Sequence, residues 1–244
     1  MLFGKPKKMA KIREISVFFP AYNEEANIRQ TVEKAIEVLK KIAKKWEIIV
    51  IDDGSKDKTG AIVKRLIKKE PRIRLITHTP NRGYGAALRS GFYNSSYEWI
   101  AFTDADGQFD FSEITKFFEK QKQTGADLVI GYYLKRAVPF YRIWGSKLWE
   151  LAVFLLFGLK VKDIDCGFKL LRRQVIDEIP RLEAERGPFI SSELLIKAKK
   201  KGFKIVEVGV HHYPRRAGKS TGASLKVVMS GLGDLWRLKR KLSF

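Results

Sequence analysis

The sequence predicts an α/β fold, a mainly parallel sheet flanked by helices, and two observations carry that expectation. From residue 15 to about residue 131, five short apolar runs (I-S-V-F-F-P, E-I-I-V-I-D, I-R-L-I-T, W-I-A-F-T and A-D-L-V-I-G) alternate with longer amphipathic stretches. Four of the runs are followed at once by polar loops, P-A-Y-N-E-E, D-D-G-S-K-D-K-T, H-T-P-N-R-G-Y-G and D-A-D-G-Q. Short, mostly apolar runs are what strands covered on both faces require. The intervening stretches 26–45, 58–69, 85–94 and 111–123 read as helices. In the first, Ile28, Val32, Ala35, Ile36, Leu39 and Ile42 form one stripe at helical spacing. Strands and helices in this alternation build a parallel sheet wrapped by helices.

After residue 131 the alternation weakens. Residues 140–157 read as an apolar, tryptophan-bearing helix, followed by D-I-D-C-G-F-K-L-L-R-R, a helix–strand pair over about 192–209, and H-H-Y-P-R-R-A-G-K-S-T-G. The expected organisation is a basic extension over 1–14, one domain over 15–222, and a basic amphipathic helix over 223–244. No internal repeat or low-complexity linker interrupts it.

Composition narrows the function. The 244 residues are 45% hydrophobic and 12% aromatic, which suits a packed core; 48 Lys and Arg against 27 Asp and Glu leave a net charge of +21. Such an excess asks for an anionic partner: nucleic acid, a membrane surface or a phosphorylated substrate. The single cysteine, Cys166, excludes an intramolecular disulfide and a cysteine-based zinc cluster. Neither G-x-G-x-x-G nor a P-loop is present, which argues against dinucleotide enzymes and P-loop NTPases. The longest runs without a charge are nine residues, 15–23 and 151–159, against about 20 for a membrane-spanning helix.

Ligands of open α/β sheets bind beyond the carboxyl ends of the strands, where these loops stand. In D-A-D-G-Q, an extended chain would point Asp104, Asp106 and Gln108 to one side and offer hard oxygen ligands to Mg²⁺ or Mn²⁺; the alternative is a solvated turn. Asp52 and Asp53 can accept hydrogen bonds from a nucleoside, while Ser55 or Asp57 caps the next helix. Of Asn23 and Glu24, capping accounts for one. Arg82 and the glycines of N-R-G-Y-G suit a phosphate at a helix N-terminus.

Together these loops resemble those of the inverting GT-A glycosyltransferases, and among them the polyprenyl-phosphate sugar transferases such as the dolichyl-phosphate mannose and glucose synthases. P-A-Y-N-E-E, D-D-G-S-x-D-x-T, N-x-G-x-G-x-A and D-A-D-x-Q stand in family order. D-I-D-C-G-F-K is similar to the family's D-x-x-[S/T/C]-G-F-[K/R], and Arg215, Gly218 and Ser220 match R-x-x-G-x-S. The resemblance implies a Rossmann-like GT-A sheet and transfer of a sugar from a UDP- or GDP-sugar to polyprenyl or dolichyl phosphate. It implies that Asp52 and Asp53, with Pro20, Tyr22 and Glu24, hold the nucleoside, that Asp104, Asp106 and Gln108 hold the metal, and that Arg215 and Ser220 cover the phosphates. Arg142 and Ser146 fall at the spacing of the family's lipid-phosphate pair; one helical turn apart, both can face one anion. In this reading Asp106, Arg142 and Arg215 carry catalysis by positioning and charge neutralisation.

Trp144 and Trp149, with Arg136, Arg142 and Lys147 at the helix start, fit an interfacial helix. The stripe Leu225, Val228, Met229, Leu232, Leu235 and Trp236, ending in R-L-K-R-K-L, adds a second surface for an anionic cytoplasmic membrane face. His211 or His212 is a candidate for metal or diphosphate contact. A rival reading transfers the sugar to a hydroxyl and needs a base, with Asp163, Asp165 or Glu193 as candidates. A nucleic-acid-binding role is disfavoured, because acidic loops at the ligand edge repel a phosphate backbone.

Overall fold

The computed structural model describes residues 11–135, 140–185, 187–215 and 225–242, with the side chains of 140–142 and 225–232 outside that description. The first half follows the expected order: β1 (Ile12–Ala21), α1 (Ile28–Ile42), β2 (Ala43–Asp52), α2 (Thr59–Lys69), β3 (Ile73–Thr77), α3 (Tyr84–Asn94) and β4 (Trp99–Phe102). A 3₁₀ turn at Phe111–Glu113 then leads into α4 (Ile114–Thr124) and β5 (Leu128–Tyr133). The second half adds α5 (Phe140–Phe157), β6 (Lys169–Arg172), α6 (Arg173–Glu178), α7 (Phe189–Lys200), β7 (Ile205–Val210) and α8 (Leu225–Leu242).

The seven strands form one sheet in the order β3-β2-β1-β4-β6-β5-β7. Every neighbouring pair is parallel except those of β6, which runs antiparallel to both β4 and β5. The mainly parallel α/β sheet expected from the alternation is therefore observed, with one inserted strand that the K-L-L-R run did not announce. Four residues are too few to show a period.

Both sheet faces are buried. Val17 and Phe19 join one layer, packed beneath α1, α2 and α4, and Phe18 joins the other. Phe18 stacks on Phe102 at 5.1 Å and meets Phe92 edge-on at 5.0 Å. A Cβ on Gly91 would lie 2.2 Å from the Phe18 ring, so α3 reaches the sheet only because that position is glycine.

Of the boundaries that differ from expectation, two have a clear physical cause. The first helix ends at Ile42, not at residue 45, because β1 reaches back to Ile12 and draws Ala43, Lys44 and Lys45 into β2; Ile12 pairs with Ala43 and Glu14 with Lys45. Continuous parallel pairing outweighs the helical preference of alanine and lysine. The fourth helix starts at Ile114, after a turn in which Ser112 N–H donates to the Asp110 carboxylate at 2.9 Å.

The two C-terminal helical faces separate into core and surface. On α8, Leu235 and Leu238 are buried in the second layer while Trp236 is 63% exposed. The expected single stripe through both Leu235 and Trp236 is thus corrected: adjacent helical residues point about 100° apart, and the leucine face is core. On α5, Val153 is buried and Trp149 donates inward to Ser192 Oγ at 2.9 Å, whereas Trp144, Leu148, Leu151 and Leu155 are exposed. Their spacing of four, three and four residues makes one exposed helical stripe. Among the described residues no helix is long and apolar enough to cross a membrane.

Candidate active site

The loops after β1, β2, β3 and β4 meet beyond the carboxyl ends of these strands, where backbone hydrogen bonds lock three of them together. Asn23, at φ 55°, donates its N–H to Ser55 Oγ at 2.9 Å and accepts from Lys56 N–H at 2.8 Å. Glu24 N–H donates to Thr59 Oγ1 at 2.8 Å, and Glu25 N–H to Asp57 at 3.0 Å. Burial alone would raise the Asp57 carboxyl, but the bonds from Thr59 and Glu25 hold it below the usual range. The capping expectation is met by Asp57, whose Oδ1 accepts from Thr59 N–H at 2.9 Å at the start of α2. Asn23 and Ser55 instead latch one loop to the other, and the residue before α1 makes no side-chain cap bond.

The acid pair after β2 is occupied by protein donors. Asp52 accepts from Ser55 N–H at 2.9 Å. Asp53 accepts from Arg82 N–H at 2.9 Å and Gly83 N–H at 2.8 Å, and its Oδ1 lies 2.6 Å from His78 Nδ1. His78 Nε2 in turn lies 2.9 Å from Ser90 Oγ. Asp53 thus brackets the N-R-G-Y turn. Arg82 points outward, with Glu185 at 3.5 Å. The N-terminus of α3 is covered by protein instead of standing open to phosphate: Ala86 N–H donates to Glu185 O at 2.9 Å, and a Cβ on Gly85 would lie 2.6 Å from Ala184 O.

D-A-D-G-Q is a turn, not an extended strand. β4 stops at Phe102, Gly107 has φ 73°, and Gln108 N–H donates to Asp106 Oδ1 at 3.0 Å. The two acids nevertheless stay together. Tyr84 OH donates to Asp104 Oδ1 at 3.0 Å, while Oδ2 faces Gly167, where a Cβ would lie 2.4 Å away. Burial first, and the charge of Asp106 second, push the Asp104 carboxyl up to about 7. Burial and the same carboxylate raise Tyr84 well above the usual phenol range. Gln108 does not join the acids through its amide nitrogen, which donates to Tyr213 O at 2.8 Å.

The D-I-D-C-G-F-K segment forms the wall behind Asp104. Asp163 Oδ1 accepts from the N–H groups of Asp165 and Cys166, both at 3.1 Å. Lys169, fully buried in β6, donates to Ile164 O at 3.0 Å and to Cys166 O. Burial lowers the Lys169 ammonium below its usual value. α5, which carries Arg142 and Ser146, runs beside this segment, since Lys147 Nζ donates to Lys162 O at 3.0 Å. The Arg142 side chain, Arg136 and Ser220 lie outside the described residues.

Glu193, a candidate base, has both oxygens engaged: they accept from Glu183 N–H, Ala184 N–H and Lys197 Nζ. His211 faces Glu113, with Nδ1 2.7 Å from Oε1. His212 packs against Phe109 and Tyr133.

Arg215 closes the constellation. Its Nη2 donates to Asp106 Oδ2 at 2.8 Å and its Nη1 to Glu24 Oε1 at 3.2 Å. Burial raises the Glu24 carboxyl. A divalent cation fits this donor set. Two hard carboxylates lie together at the ligand edge, and a guanidinium already stands where positive charge is required. Among the described residues no group of three His, Cys, Asp or Glu could hold an ion. That suits Mg²⁺ or Mn²⁺, which take one or two carboxylates and draw their remaining ligands from water and substrate phosphate. Sequence reading missed Tyr84, His78, Gly167 and Lys169; the lone lysine in an apolar run was a visible signal for the last.

The family model of glycosyl transferase family 2 matches residues 16–180, which take in most of the sheet and the loops after β1, β2, β3 and β4. The chain belongs to glycosyl transferase family 2. A dolichyl-phosphate β-glucosyltransferase of Dictyostelium discoideum is 34% identical over 81% of this family 2 chain and 65% of its own length. An undecaprenyl-phosphate 4-deoxy-4-formamido-L-arabinose transferase of Pectobacterium atrosepticum is 30% identical over 89% of the chain and 65% of its own length. The family 2 chain thus spans just under two thirds of these relatives. Among solved structures, glucosyl-3-phosphoglycerate synthase of Mycobacterium tuberculosis in complex with Mg²⁺ and UDP superposes with a TM-score of 0.68 at 21% identity, covering 91% of this chain and 79% of that one. At that identity the likeness establishes the fold, and it is the GT-A architecture expected from the motifs.

Proposed function

We propose that this family 2 protein transfers a sugar from a nucleotide-sugar to polyprenyl or dolichyl phosphate, with inversion, at an anionic cytoplasmic membrane face. The observation that carries the proposal is half-buried Asp104 beside buried Asp106, which Arg215 bridges to Glu24. Such a site is built to receive a cation together with a phosphate group. The relatives named for dolichyl and undecaprenyl phosphate supply the acceptor class, and the UDP in the superposed structure makes UDP-sugars the first donors to test.

In this mechanism an acceptor phosphate oxygen attacks the anomeric carbon while the bond from that carbon to the diphosphate oxygen breaks. The electron pair leaves with the nucleoside diphosphate. A phosphate monoester, with a second pKa near 6, is already largely a dianion at neutral pH, so no strong base is needed. Asp104 and Asp106, with Gln108 beside them, would hold Mg²⁺ or Mn²⁺, which supplies neutralisation of the leaving diphosphate. Pro20, Tyr22 and Glu24, with Asp52 at the neighbouring strand end, would form the nucleoside side, and Asp53 holds the turn beside it. Arg215 would turn onto the phosphates, with Ser220 assigned beside it by the family motif, and Arg142 and Ser146 would orient the acceptor.

The bonded state of Glu193 weighs against the reading that needs a carboxylate base and a hydroxyl acceptor. Membrane contact is supported by the exposed stripe Trp144, Leu148, Leu151 and Leu155, by exposed Trp236, and by the net charge of +21. The test is incubation with labelled UDP- and GDP-sugars, a short polyprenyl phosphate and Mn²⁺. An acid-labile lipid product is expected. Transfer to glycan or lipid hydroxyls, with none to the lipid phosphate, overturns the proposal.

A further inference from the structure

Arg215 brings a cation to a place otherwise walled by acids. Glu24 lies in the loop after β1, Asp106 in the turn after β4, and Arg215 beyond β7, so three distant stretches meet through one guanidinium. Both acids are buried, at 7% exposure each, and the fork gives one terminal nitrogen to each, at 3.2 and 2.8 Å. Asp106 Oδ1 accepts from Gln108 N–H and Oδ2 from Arg215 Nη2, so the guanidinium already neutralises the carboxylate that an incoming cation would use. Guanidinium and metal ion therefore compete for the same carboxylate.

Resting on the reading above, we propose that Arg215 is the exchangeable counter-ion of the acid cluster. In the ligand-free protein it neutralises Asp106. A divalent cation arriving with nucleoside diphosphate takes the Asp106 carboxylate, and Glu24 keeps the guanidinium in place to turn its released N–H groups onto phosphate oxygens. Glu24 is then a positioning residue acting through Arg215. Cation alone must displace Arg215 and leave it without a new partner. Cation with diphosphate displaces it onto one. The two ligands consequently strengthen each other's binding, and by linkage the enhancement is reciprocal.

The experiment is titration of the full chain with Mn²⁺, read by the electron paramagnetic resonance signal of free Mn²⁺, without and with UDP. The wild-type protein is expected to bind Mn²⁺ weakly alone and roughly 10-fold to 100-fold more tightly with UDP, within the usual span of binding couplings. Arg215→Ala is expected to shift the two measurements in opposite directions: about 10-fold tighter Mn²⁺ alone, with an enhancement by UDP of about threefold or less. A damaged site would lose both. Arg215→Lys keeps a positive charge and is expected to hold Mn²⁺ alone near the wild-type value. Unchanged or weaker Mn²⁺ binding by Arg215→Ala overturns the counter-ion role, even where UDP still enhances wild-type binding. Wild-type protein that binds no Mn²⁺ in the presence of UDP overturns the proposed function itself.

Discussion

The acid pairs after β2 and after β4 occupy equivalent strand ends and have opposite surroundings. Asp52 and Asp53 face backbone N–H groups and an imidazole: Ser55, Arg82, Gly83 and His78 all turn a donor or ring nitrogen toward them. Asp104 and Asp106 feel each other's charge and have fewer fixed donors, a phenol on Asp104 and one backbone N–H and one guanidinium on Asp106. A carboxylate ringed by fixed dipoles acts as a structural bracket. A carboxylate beside another carboxylate is in a site that gains when a cation arrives. Two neighbouring acids in a sequence do not show which of these they will become.

The largest effect expected from this contrast is on turnover. Asp106→Asn should lower sugar transfer by at least about 10³-fold, the scale seen when a main stabiliser of developing charge is removed. Its thermal melting point should hold or rise, because a like charge beside Asp104 has gone. A collapsed melting point would place Asp106 with the brackets and erase the distinction.

Asp53→Ala should do the reverse and act first on stability. Two backbone N–H groups and His78 lose a buried partner, a change worth about 3 kcal/mol on the scale of unsatisfied buried donors. Denaturant unfolding reads it directly. A loss below about 1 kcal/mol, the net worth of one ordinary hydrogen bond, would mean the turn holds itself.

The pH response sharpens the contrast further. Asp104 is pushed up to about 7 from its ordinary 3.8, by burial first and Asp106 second. A proton must leave before a cation binds, so Mn²⁺ affinity in the presence of UDP should rise about tenfold per pH unit below neutrality and flatten above about pH 7. The stability linkage has the opposite sign. The contribution of Asp104 to folding is fully present below its unfolded value and is lost as pH rises through about 7. Isothermal titration across pH 5.5–8.5 should show the first trend, roughly the window that brackets the Asp104 value. A flat profile would show that Asp104 carries no proton to release.

The smallest change is Gly167→Ala. Its Cβ would stand 2.4 Å from Asp104 Oδ2, so the carboxylate or the turn must shift. A several-fold loss of Mn²⁺ affinity with UDP, with little change in melting point, is the expected result.

Much of this was visible in the one-dimensional pattern. The five apolar runs became β1 to β5, and the four polar loops did gather at the carboxyl edge. Asp104, Asp106, Glu24 and Arg215 were singled out from their motifs, and three of them are joined by hydrogen bonds across 191 and 109 residues of chain. Other features were not visible. Tyr84 lies between two glycines in a loop that reads as flexible, and only the approach of α3 to β4 turns its hydroxyl onto Asp104. β6 is four residues long and antiparallel, and its place between β4 and β5 is set by pairing with strands distant in sequence. Leu235 and Trp236 look alike in composition, and packing against the second layer alone separates them into core and surface.

By itself the chain's pattern determined the fold class, the family motifs and the edge of the sheet at which a ligand belongs, because hydrophobic period and loop chemistry are local and survive without coordinates. Tertiary structure decided which acids are bracketed by backbone donors and which are paired with a guanidinium, and that Glu193 has its oxygens filled. Charge state and bonding depend on neighbours brought from far along the chain, and over such separations spacing along the sequence carries no distance.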